Sequence, residues 1–143
     1  MSDRIHTSTT VLLILAIMLL SAAGCGDDNN SGPTSTCDNI AGTWQVVVGN
    51  PDTGCGTGWS DSWIITQSGC NLNIVTNVSS GSGDAHDNRV YANWVWDVGI
   101  YHTQYNLEAT VSGDSMTGQL FIHHHDTSWT TVCAGTSSVT GTR

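Results

Sequence analysis

Lysine is absent from this sequence, glutamate occurs once, as Glu108, and the three basic residues are Arg4, Arg89 and Arg143. Twelve acids stand against them, for a formal net charge of −9. So acidic a surface repels nucleic acid and other polyanions as partners; beyond that, acidity speaks of solubility. Hydrolytic motifs are missing as well. Neither Gly-x-Ser-x-Gly nor His-Glu-x-x-His occurs, and Glu108 is expected to face outward on a strand, so no enzyme is expected. The five cysteines show no Cys-x-x-Cys spacing, which removes zinc-ribbon, thiol-redox and haem-attachment readings. No segment after Leu20 keeps an apolar period near 3.6, so helices are not expected there. The uninterrupted apolar run at residues 11–20 (VLLILAIMLL) is too short to cross a bilayer, which takes roughly 20 residues.

That run instead has the length of a signal-peptide apolar region, behind a polar stretch in which Asp3 offsets Arg4. Ser21, Ala22, Ala23 and Gly24 follow it, and then Cys25. Small residues ahead of a cysteine resemble the lipobox of bacterial lipoproteins, with Ala22 where that family usually carries Leu. The resemblance implies cleavage before Cys25 and lipid on that cysteine. It also implies a membrane-anchored place in the cell envelope, at the outer membrane or cell surface. Two or more acyl chains anchor a protein stably, whereas one does so only marginally. Residues 26–36 (GDDNNSGPTST) carry nothing to bury. The expected organisation is a signal peptide over 1–24, a flexible tether over 25–36 and one domain over 37–143.

The domain is rich in Thr, Val, Trp, Ser and Gly, and apolar residues alternate with period two. Strands are expected over 41–48, 60–67, 70–78, 89–97, 100–111, 116–125, 128–133 and 136–142. Eight short strands with mostly tight turns predict an all-β, antiparallel up-and-down meander. Closing it into a small barrel removes both exposed edges. A two-residue turn at Gly113-Asp114, Gly first as in type II′, sets Leu107 opposite Leu120 and Tyr105 opposite Ile122. Turns at Val98-Gly99 and Ser68-Gly69 set Trp96 opposite Tyr101, Trp94 opposite Thr103, Ile65 opposite Leu72, and Trp63 opposite Ile74. Apolar side chains then share one face, which a one-residue slip would destroy.

With Cys25 assigned to lipid, four cysteines remain, an even set in an oxidising compartment. The meander puts Cys37 and Cys70 at one end and Cys55 and Cys133 at the other. The expected disulfides are therefore Cys37–Cys70 and Cys55–Cys133.

Gly42-Thr43-Trp44 opens the first strand. With the meander, it resembles the calycin superfamily of lipocalin-like and avidin-like barrels, whose first strand carries Gly-x-Trp. In lipocalins an arginine near the last strand packs over that tryptophan, and Arg143 is the candidate here. The resemblance covers roughly residues 41–143 and implies binding rather than catalysis.

An eight-stranded barrel is either filled by its side chains or holds one small ligand. Trp44, Trp94, Trp96, Tyr101, Tyr105 and Trp129 are the expected lining for a small apolar or aromatic ligand, with His124 as a polar handle at the mouth. The alternative is a filled core in a structural or surface-interaction module. On a strand His123 and His125 share the outer face, and the hairpin brings His102 opposite His125. These three could bind zinc or copper weakly, though an exposed cluster lacks supporting partners. No other cofactor is expected. Residues 79–88 hold Asp84, His86 and Asp87 without EF-hand spacing, and are expected to be a solvated loop.

Overall fold

The computed structural model describes residues 36–143, so the expected signal peptide, Cys25 and the tether up to residue 35 lie outside the described residues. Eight strands follow one another: β1 (Gly42–Val48), β2 (Trp59–Ser68), β3 (Asn71–Val75), β4 (Ser80–His86), β5 (Arg89–Val98), β6 (Tyr101–Ser112), β7 (Ser115–His125) and β8 (Thr131–Thr142). Each pairs antiparallel with the next, and β1 pairs with β8 to close the barrel. Alternation builds the core. Val90, Ala92 and Trp94 of β5 and Tyr105, Leu107, Ala109 and Val111 of β6 point inward, with exposed or half-buried residues between them.

The strand count agrees with expectation through two offsetting differences. Residues 80–86, expected as a loop, are β4. Its inward positions are Gly81, Gly83 and Ala85, so it carries no large apolar side chain to reveal it. The expected break at Ala134-Gly135 is absent, and β8 runs unbroken from Thr131 to Thr142. Gly135 serves packing instead: a Cβ there would lie 2.5 Å from Thr53 Oγ1 and 3.2 Å from Pro51.

The Gly113-Asp114 hairpin has the expected register, with Tyr105 opposite Ile122 and Leu107 opposite Leu120. The other two hairpins are shifted by two residues. Trp96 faces Thr103 and Trp94 faces Tyr105, while Ile65 faces Ile74 and Gln67 faces Leu72. The turns are Gly69-Cys70 and Gly99-Ile100, with glycine first at φ 60° and 61°, matching Gly113 at 60°. A type II′ turn wants glycine in that position, and expecting it second misplaced both turns. A two-residue shift keeps every side chain on its face, so the core survived the error. β4 and β5 join through Asp87-Asn88, both with positive φ, as a type I′ turn requires.

The two ends differ. At one, Trp44 and Ile40 are buried, and the Trp44 indole donates to the Ile40 carbonyl at 2.9 Å. The Arg143 guanidinium lies 5.1 Å from the Trp44 ring centre and donates to the Ala41 carbonyl at 3.1 Å. Gln67 bonds Ile40 N and the Asp38 carbonyl, and the Cys37–Cys70 disulfide ties the entering chain to the β2–β3 turn. At the other end, residues 49–58 run along β8, with Gly49 N on Ser138 O, Asp52 N on Thr136 O, and the Cys55–Cys133 disulfide. Both expected bridges are present, with Cα separations of 4.9 and 5.9 Å.

Candidate functional site

β2 enters its strand on Trp59, and alternation sends Trp59, Asp61 and Trp63 inward in succession. Across the barrel, β5 contributes Trp94 and Trp96, β6 Tyr105, and β7 Ile122 and His124. Small inward residues on β4 leave room for these rings: a Cβ at Gly81 would lie 2.6 Å from that of Trp94. The rings enclose a cavity of about 390 Å³ at the end opposite Arg143, walled also by residues 55–57 and 76–78. Below it, Ile65, Leu107, Leu120 and Val46 are buried in the barrel core. The barrel is thus packed with apolar side chains toward the Arg143 end and carries its cavity toward the other.

The aromatic walls are ordered by edge and face contacts. Trp94 stacks on Tyr105 at 5.4 Å, Trp63 meets Trp94 edge-on at 5.4 Å, and Trp59 meets Tyr105 edge-on at 6.0 Å. Burial raises the Tyr105 phenol above its ordinary pKa. Thr103 Oγ1 and His124 Nδ1 lie 2.8 Å apart, which fixes the imidazole at the mouth. The Trp63 Nε1, closed off from solvent, has no hydrogen-bond partner.

Of the expected lining residues, Trp94, Trp96, Tyr105 and His124 are there. Trp44 is not; it lies under Arg143 at the closed end. Tyr101 and Trp129 are corrected to the exterior, 51% and 56% exposed. Tyr101 is on the inward side of β6 but at its first residue, beyond the packed layers. Trp129 stands in a loop that Asp126 holds by accepting from Ser128 N and Thr130 N, at a φ of 59°. Sequence reasoning missed Trp59 and Asp61; the signal was the Trp-x-Asp-x-Trp alternation, hidden by starting the strand one residue late.

His102 faces His125 across β6 and β7, as expected. The three outer histidines do not converge, however. Trp129 stacks on His102 at 4.5 Å and leans on His125 at 5.5 Å, while His102 Nδ1 lies 2.6 Å from Asp97. Among the described residues the group that brings three ligand atoms within 4.8 Å of one another is Cys37, Cys70 and His86. Its two sulfurs share a disulfide, so neither is a thiolate.

No protein-family model matches this chain, and neither a curated protein nor a solved structure does.

Proposed function

We propose that the protein is an exported lipoprotein, anchored through lipid on Cys25, whose barrel binds one small aromatic or apolar ligand at its open end. The observation that carries the reading is the aromatic-walled cavity at the open end of the barrel. A flat ligand would bury its faces against the rings of Trp59, Trp94 and Trp96. Burying about 200 Å² of apolar ligand surface is worth roughly 5 kcal/mol before the costs of immobilisation, so this term alone gives about 0.2 mM affinity or weaker. The resemblance of Gly42-Thr43-Trp44 to calycin barrels favours binding over catalysis, and so does the site itself. Thr103 and His124 form a hydroxyl–imidazole pair, but among the described residues no carboxylate orients that ring.

The test is calorimetric titration of the full chain with 2-phenylethanol and larger neutral aromatics. Saturable one-to-one binding, weakened by Trp96→Ala, is expected. Heat no greater than that of dilution for every probe would remove the reading. A second reading, a surface-interaction module, draws on Val98, Ile100, Tyr101 and Trp129, all exposed at the same end.

A further inference from the structure

We infer that the ligand is an organic cation, an ammonium group joined to an aromatic or apolar body, an inference that rests on the cavity being a binding site. Asp61 lies on the inward side of β2, between Trp59 and Trp63, and lines the cavity. One carboxylate oxygen accepts from Ser62 N at 2.7 Å and the other from Asn77 N at 3.4 Å. Among the described residues the ion pairs are His86–Asp84, His102–Asp97 and Arg143–Asp114, so Asp61 has no cationic partner. A carboxylate in the cavity wall without a counter-charge makes the site electronegative, and a cationic ligand would supply that charge.

The rest of the end has the same polarity. Arg89 and Arg143, the Lys and Arg complement of the described residues, both sit at the closed end, at the β4–β5 turn and beyond β8. Asp52, Asp61, Asp97 and Asp126 lie at the open end. An anionic ligand would find no fixed positive charge there, and His124 is the one lining side chain able to become cationic. Trp59, Trp94, Trp96 and Tyr105 present aromatic rings, whose faces attract a cation as well as an apolar body.

Three probes of matched shape separate this inference from the reading beneath it: phenethylammonium, 2-phenylethanol and 3-phenylpropionate, each titrated calorimetrically into the full chain. The cation is expected to bind about tenfold more tightly than the alcohol, and the carboxylate more weakly than either. Asp61→Asn should bring cation and alcohol to within about threefold of each other, with the larger loss on the cation. Since that variant could misfold, Asp61→Glu, which keeps the charge, should retain the cation preference. Alcohol bound as tightly as the cation, or carboxylate bound best, would overturn the charge assignment while the binding site stands. No binding of any probe would overturn both.

Discussion

Arg143 joins three parts of the closed end, through the Trp44 ring, the carbonyls of Ala41 and Asn39, and the Asp114 carboxylate. Asp114 is 73% exposed, so salt screens that contact and the weight falls on the ring and the carbonyls. Arg143→Ala is expected to cost about 1–3 kcal/mol, and Arg143→Lys to restore only part, because lysine lacks the planar fork. Urea midpoints of both variants check this, and 1 M salt (about 3 Å of screening length) should leave the loss largely in place. The pairing was legible because a Gly-x-Trp opening named one partner. Tyr101 and Trp129 were not, because alternation gives the side of a strand but not the height in the barrel. Tyr105 carries a different prediction. Burial raises its phenol pKa in the folded state. Below the unfolded value, about 10, both states are neutral and stability is intact. As pH rises past that value the unfolded chain ionises first, and stability falls until the folded pKa is passed. Tyr105→Phe should flatten the alkaline loss of thermal stability; an unchanged slope would assign the loss to other groups.

At the scale of elements, a strand is legible when its inward positions are large. β5 announces itself through Val90, Trp94 and Trp96, whereas β4 offers Gly81, Gly83 and Ala85 to the interior and reads as a loop. Its smallness is nonetheless required by its neighbours. A Cβ at Gly83 would meet the Tyr91 carbonyl and lie 2.6 Å from Ala92 Cβ, with β5 backbone behind it. Gly83→Val is therefore expected to lose about 1–3 kcal/mol through overpacking, despite valine's preference for strands. Ser82→Val, on the outward side of the same strand, should be close to neutral. Thermal unfolding of the pair is the measurement, and equal losses would mean that the inner face of β4 has room to spare. The cavity depended on the same hidden strand. With 79–88 taken as loop, alternation marked Trp94, Trp96 and Tyr105 as inward but did not show that the small residues of β4 would leave space beside them.

Across the whole molecule the barrel is packed at one end and hollow at the other, with one disulfide fastening each. Both pairings were legible, since a meander assigns every loop to an end and leaves few ways to pair four cysteines. Closure was legible from the exposed edges it removes, and the hollow half was not, because composition cannot distinguish rings that fill a core from rings that line a cavity. The bridges are expected to match in kind thermodynamically and to differ functionally. Replacing either pair with serine should cost about 2–5 kcal/mol, roughly 0.8 kcal/mol more for Cys55–Cys133, because sequence separations of 78 and 33 close loops of different entropy. Cys37→Ser with Cys70→Ser loosens the end under Trp44 and should leave phenethylammonium binding within about twofold of the parent. Cys55→Ser with Cys133→Ser releases residues 55–57, which wall the cavity, and should weaken binding about tenfold even where the barrel is fully folded. Titration at a temperature where both variants are folded separates the two effects. Equal loss of binding in both would mean that the ends are coupled through the core, and that the packed half sets the shape of the hollow one.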